Sequence, residues 1–212
     1  MSKYELLYFN VEGLAETIRA ILDFGEADWS NRYVSNWEQE KPTTPYGKVP
    51  VLYERQANGE TFALAESIAI QRYLASKFGL YGDDAHSSAV QDSIISQLGE
   101  VGQALMNVMR GPEAMREELC ERFNTSAKHL LIKHGELLTK NGTGHYVGHQ
   151  TTWADLVAYF MIKLIRQKGF FNKDLQALAG PFEQLATALE QDPKASRALK
   201  LHAARAETEY KK

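Results

Sequence analysis

A change of hydrophobic period near residue 80 constrains this chain more than any other feature. Up to that point short strand-like runs alternate with helix-like runs; beyond it apolar residues recur only at spacings of three and four. The first half opens with Tyr4 to Phe9 as a strand, followed by a helix carrying Leu14, Ile18, Ile21 and Leu22 on one face and stopped by Gly25. Arg32-Tyr33-Val34 and Val49 to Glu54 read as further strands. Asn58-Gly59 signals a two-residue type I′ turn, because both residue types tolerate positive φ, so Thr61 to Leu64 should return antiparallel. A helix with Ile68, Ile70, Tyr73 and Leu74 closes this half.

The order of elements predicts an α/β, thioredoxin-like domain with mixed strand directions over residues 1–78. Residues 79–86, with Gly79, Gly82, Asp83 and Asp84, read as a linker, and 87–212 as an all-helical bundle. In the bundle Val90, Ile94, Leu98, Val101, Leu105 and Met109 define a long first helix, ended by Gly111-Pro112. Met115, Leu119, Phe123, Leu130 and Leu137 define a second, and Asn141-Gly142-Thr143-Gly144 breaks it. Thr152 and Asp155 form a capping-box pattern at the start of a third. Asn172 and Pro181 begin two shorter helices, and the chain through Lys212 continues helical.

Composition narrows the partners. Lys plus Arg number 24 against 27 Asp plus Glu, a net charge of −3, which lacks the basic excess needed to neutralise a nucleic-acid backbone. The start moves directly into a strand without a long apolar leader, and no segment is long and apolar enough to span a bilayer, so a soluble cytoplasmic protein is expected. The single cysteine, Cys120, excludes an intrachain disulfide and lies within a helical pattern, where a buried packing thiol is expected. His129 and His134 are five apart on a helix, and His145 and His149 lie in a Gly-rich stretch without paired acids, so no metal site is expected.

Three segments of the first half have the chemistry to hold a small peptide. Tyr8 ends the first strand just before a helix, where a phenol meets an anion-favouring helix start. In Pro45-Tyr46-Gly47-Lys48-Val49-Pro50-Val51-Leu52 a proline opens a strand; a cis Val49-Pro50 bond there would turn the Val49 backbone outward to pair with another peptide. Ala65-Glu66-Ser67 precedes a helix, so Ser67 and first-turn amides suit a carboxylate while Glu66 suits an ammonium group. Taken singly, each has a plainer explanation: Tyr8 as an amphipathic strand residue, Pro50 as an ordinary trans proline, Ser67 as a helix cap. The combination points to a site that grips an amino acid at both ends.

With Y-F-N-x-x-G-x-A-E at 8–16, P-Y-G-K-V-P-V-L at 45–52, the Glu66-Ser67 pair and T-W-A-D at 152–155, the chain resembles the cytosolic glutathione transferases, and most closely their sigma class. The resemblance implies glutathione as cosubstrate, bound by Tyr8, Trp37, Lys41, Lys48, Val49, Pro50, Glu66 and Ser67, with Tyr8 as the catalytic residue that activates the thiol. It implies a hydrophobic electrophile between the two domains, against Phe9, Val11, Leu14, Leu105, Met106 and Met109, and a homodimer formed by the Tyr73 helix and the first two long helices. Leu14 stands where sigma-class relatives often have an arginine, which leaves a low-activity, ligand-binding or crystallin-like relative as one alternative. A glutathione-dependent prostaglandin-type isomerase or peroxidase is the other; in the stretch Ser96-Gln97-Leu98-Gly99-Glu100 only Glu100 matches the acidic residues found in isomerase relatives.

Overall fold

The computed structural model describes residues 3–170 and 172–210. The chain forms two compact units, Met1–Leu80 with Pro193–Lys212, and Tyr81–Asp192. In the first, strands β1 (Lys3–Tyr8), β2 (Asp28–Tyr33), β3 (Val51–Arg55) and β4 (Thr61–Ala65) form one sheet in the order β2-β1-β3-β4. β1 runs parallel to β2 and antiparallel to β3, and β3 runs antiparallel to β4, the mixed thioredoxin-like arrangement. Helices α1 (Glu16–Phe24), α2 (Trp37–Glu40) and α3 (Ser67–Lys77) interleave with the strands. Leu6, Leu7 and Leu52 of the sheet and Ile18, Ile21, Leu22, Ile70 and Leu74 of the helices are fully buried and make its core.

Local details depart from the sequence reading for physical reasons. Leu14 belongs to a 3₁₀ turn ahead of α1 and is 58% exposed, so it is not part of the core face. Gly25 follows α1 with φ −75°, and an added Cβ would lie 2.4 Å from the Phe78 ring; its role is close packing, while Glu26 takes the left-handed conformation. At the hairpin Gly59 alone of the Asn58-Gly59 pair has positive φ, with Gln56 N donating to Glu60 O and Gly59 N to Gln56 O, so the turn is wider than type I′.

The sequence pattern assigns residues 193–212 to the helical bundle, yet helix α9 (Pro193–Thr208) groups with the first unit. The cause is charge complementarity. Every residue of α1 is buried, including Glu16, Arg19 and Asp23, and α9 brings His202 against Glu16 and Arg205 Nη2 to 2.6 Å from Asp23 Oδ2. Buried ions of one helix require ions of another. The expected helical end at Lys212 lies outside the described residues.

The second unit contains α4 (Ala85–Arg110), α5 (Arg116–Asn141), α6 (Trp153–Gln167), α7 (Lys173–Ala177) and α8 (Gly180–Gln191). Ile94, Leu98, Val101, Leu105 and Val108 line the buried stripe of α4, whereas Val90 and Met109 are exposed because the 3.6-residue period carries them off it. On α5 the stripe is Phe123, Ala127, Leu130, Leu131 and Leu138; Met115 and Leu137 are exposed, and Cys120 is partly exposed rather than buried. The Asn172 side chain accepts from Leu175 N at 3.0 Å, and Pro181 occupies the first turn of α8. Among the described residues no helix is long and apolar enough to cross a membrane.

His134 gives this unit an acid-sensitive core. Burial holds its imidazole neutral and lowers its pKa from 6.5 to about 4, with Nδ1 2.9 Å from Tyr146 Oη. The unfolded chain therefore takes up this proton first as pH falls. Stability from the neutral ring is full above about pH 6.5 and is lost towards pH 4, by roughly 3 kcal/mol. Urea titrations across that window should show this slope in the wild type and a flatter one in His134→Gln; parallel slopes would remove His134 as the cause.

Candidate active site

The register of the sheet gathers the candidate residues. Leu7 pairs with Val51, and Val51 with Ala65, so Tyr8, Pro50 and Glu66, each one residue further, emerge at the same sheet edge. Tyr8 also pairs with Tyr33, which places the start of the β2–α2 loop there. The Val49-Pro50 bond is cis, and the Val49 side chain packs on the small core of Leu7, Val51 and Ala65.

Tyr8 is 8% exposed, and its hydroxyl oxygen accepts a hydrogen bond from Leu14 N at 3.1 Å. Gly13 permits that approach: it has φ +50°, and a Cβ on it would stand 2.6 Å from Tyr8 Oη. A phenol that accepts an amide proton is polarised into a stronger donor, and it stands at the start of a helical segment where negative charge is favoured.

Phe9 follows, with its ring edge-on to those of Tyr8 and Trp37 at centroid distances of 5.8 and 5.5 Å. This places half-buried Trp37, the first residue of α2, beside the loop after β1. Lys41 is exposed, and its stem passes over Gly47, where a Cβ would meet its Cε at 3.5 Å; Lys48 is exposed as well. Glu66 is exposed, with φ +73° and ψ 115°, a conformation that is costly for a residue with a Cβ and concentrates at functional sites. Its side chain caps nothing, so the first-turn amides of α3, with Ser67 at its start, face the edge without a capping side chain.

The candidate electrophile residues divide by exposure. Phe9, Val11 and Leu14 are 39%, 42% and 58% exposed on the first unit. In the second, Leu105 is fully buried in the helical core, Met106 is half-buried and Met109 is 38% exposed.

Sequence reasoning missed the charged network behind Tyr8. Arg19 is fully buried; its Nη1 lies 3.0 Å from Val11 O, 3.2 Å from Glu12 O, 2.9 Å from Glu16 Oε2 and 3.0 Å from Tyr210 Oη, and its Nε donates to Asn31 Oδ1 at 3.0 Å. Burial alone would raise the Glu16 pKa, but His202, Arg19 and Tyr210 outweigh it and lower it to about 2. The signal was present in the sequence as three ionic residues, Glu16, Arg19 and Asp23, at helical spacing on an otherwise apolar helix. Among the described residues no group of three or more His, Cys, Asp or Glu side chains is placed to hold a metal.

A phenol, a strand-opening proline and a Glu-Ser helix start thus meet at one end of a thioredoxin-like sheet. Comparison with known proteins gives the family. The family profile "Glutathione S-transferase, C-terminal domain" matches residues 102–199. Glutathione S-transferase 4 of Caenorhabditis elegans is 35% identical over 187 residues, covering 82% of this chain and 86% of that one. The hematopoietic prostaglandin D synthase of Mus musculus is 30% identical over 158 residues, covering 73% and 75%. The sigma class GST of Fasciola hepatica has a similar structure, with a TM-score of 0.81, 25% identity and 98% of each chain covered. The chain belongs to the glutathione S-transferase family.

Proposed function

We propose that this chain binds glutathione at the sheet edge shared by Tyr8, Val49-Pro50 and Glu66-Ser67 and activates its thiol for attack on hydrophobic electrophiles. The family is one of transferases, and the relatives that carry its name support glutathione as the cosubstrate. The observation that carries the site is the register: one edge presents a phenol for the sulfur, a strand-opening backbone for the cysteinyl peptide, and a carboxylate beside a helix start for the γ-glutamyl group. Trp37, Lys41 and Lys48 supply the glycyl end in this reading.

Tyr8 donates to the glutathione sulfur, favouring the thiolate, which then adds to or displaces from an electrophilic carbon. Phe9, Val11 and Leu14 offer exposed apolar surface beside that phenol for the electrophile. Assignment to the sigma class is supported by the Tyr-Phe-Asn motif and by the Fasciola hepatica structure. A cytoplasmic homodimer that uses α3, α4 and α5 completes the proposal, with exposed Ile68 and Val90 as its apolar contacts. The mouse relative's name supports a second reading, isomerisation of a prostaglandin-type substrate, which starts from the same thiolate.

Calorimetric titration with reduced glutathione should give saturable binding with Kd below about 1 mM, and a chromogenic aryl halide should be conjugated in its presence. No heat at millimolar glutathione would sink the proposed site; binding without conjugation of any electrophile in a broad panel would leave a ligand-binding protein instead of an enzyme.

A further inference from the structure

We propose that Arg19 is a positioning residue for the thiol-activating phenol and that Tyr210, near the carboxyl end of the chain, holds it in place; this rests on the glutathione reading above. The Tyr8 hydroxyl is tied to the loop that follows it, since its oxygen accepts from the amide of Leu14 at 3.1 Å. Within that loop Val11 N donates to Phe9 O, Glu12 Oε1 stands 4.0 Å from His202 Nε2, and Phe9, Val11 and Leu14 are exposed. Arg19 reaches out of α1 and donates to the carbonyls of Val11 and Glu12, the two residues before Gly13. Its guanidinium carbon also stands 5.8 Å from the centre of the Tyr8 ring, so one buried cation touches the loop and faces the phenol.

A guanidinium suits this place because Nε and Nη1 of one rigid plane serve acceptors in different directions, which an ammonium on a flexible stem does less well, while Nη2 is buried without a hydrogen-bond partner among the described residues. Its own position is fixed from the other side. Asn31 of β2 accepts from Nε, and Glu16 accepts from Nη1. Tyr210 stacks over the guanidinium at 5.0 Å, lies 3.0 Å from Nη1 and donates from its hydroxyl to Glu16 Oε2 at 2.6 Å. The stretch around Tyr210 is anchored in turn, since Glu209 Oε2 accepts from Tyr33 Oη at 2.6 Å and Arg205 pairs with Asp23. The chain end thus reaches Tyr8 through Tyr210, Arg19, the Val11 and Glu12 carbonyls, and the Leu14 amide.

The consequence is specific. Loosening Arg19 lets the loop and the Tyr8 hydroxyl drift, and a hydrogen bond to sulfur weakens steeply with misalignment. The effect appears in thiol ionisation, whereas the groups proposed for the γ-glutamyl and glycyl ends lie in the 37–48 stretch and at the start of α3 and keep their hold.

The test uses Arg19→Lys and Tyr210→Phe in the full chain. The ultraviolet absorbance of enzyme-bound glutathione thiolate is followed against pH, with Kd for glutathione and melting temperature measured in parallel. Arg19→Lys should raise the bound thiol pKa by about one unit and lower kcat/KM for conjugation about tenfold below that pKa. Tyr210→Phe, which removes one hydroxyl and should fold in any case, is expected to raise the bound thiol pKa by about half a unit and lower kcat/KM about threefold. In both, Kd for glutathione should stay within about threefold of wild type. Variants that melt earlier but keep the wild-type thiol pKa would overturn the inference and leave the glutathione reading intact. A wild type that binds no glutathione, or binds it without a thiolate band, would defeat that reading and this inference with it.

Discussion

Replacing Asp155 with Ala should cost roughly 3 to 5 kcal/mol of folding stability and lower the melting temperature by roughly 10 °C. Asp155 is fully buried at the start of α6, and its two oxygens serve four donors. Oδ2 accepts from the Thr152 amide and hydroxyl, both at 2.8 Å, and lies 3.1 Å from His145 Nδ1; Oδ1 accepts from Tyr146 N at 2.9 Å. The carboxylate therefore caps the helix and also ties the 143–148 loop to it. Alanine would strand these donors in an apolar surrounding that includes fully buried Trp153, where each unsatisfied group costs about 1 to 3 kcal/mol. Asp155→Asn, which retains one acceptor oxygen, should recover part of the loss. Urea denaturation of Asp155→Ala and Asp155→Asn measures both, and a loss below about 1 kcal/mol in the alanine variant would refute the central place given to this carboxylate.

Asp155 was legible in the sequence because capping chemistry is local: a Thr three residues ahead of an Asp, just before an apolar run, has few other meanings. The strands themselves were legible for a related reason, since Tyr4 to Phe9 and Val49 to Glu54 are short apolar runs bounded by turn residues. Long-range decisions were harder to read. Nothing local in Gly25 tells that Phe78 comes within contact, and the residue that reverses the chain there is Glu26. α9 reads by its own pattern as one more helix of the bundle. Its place is set by Asp23 and Glu16, far away in the sequence, whose burial on α1 calls for the charges of Arg205 and His202. The same holds for the candidate site. Tyr8, Pro50 and Glu66 were found as chemical types, but their meeting at one edge is a property of strand register, which pairs Leu7, Val51 and Ala65 across the sheet. Arg19 was overlooked because an ionic residue in an amphipathic helix is normally solvated; here the whole circumference of α1 is covered.

Tyr8→Phe should raise the pKa of bound glutathione thiol by about two units and reduce conjugation at neutral pH about a hundredfold. An ordinary thiol ionises near about 8.5, so a small fraction is thiolate at neutrality, and one hydrogen bond to a charged acceptor is worth roughly 1.5 to 3 kcal/mol, enough to account for such a shift. The geometry adds two points. The Tyr8 oxygen already accepts the Leu14 amide, which strengthens the phenol as a donor and stabilises charge that builds on its oxygen as the proton is shared with sulfur. The phenol does not belong to the groups proposed to grip the ends of the tripeptide, which lie in the 37–48 stretch and at the start of α3, so glutathione affinity should change little. The variant also leaves the Leu14 amide without that acceptor, which should cost about 1 kcal/mol of stability and is read separately by thermal melting. In the pH–rate profile the limb governed by thiol ionisation should move to higher pH while the rate on the fully ionised plateau approaches that of the wild type, because a thiolate made by base needs no donor to exist. A Tyr8→Phe enzyme that keeps the wild-type profile would show that another group ionises the thiol. The loop amides at Gly13 and Leu14 would then be the next donors to examine.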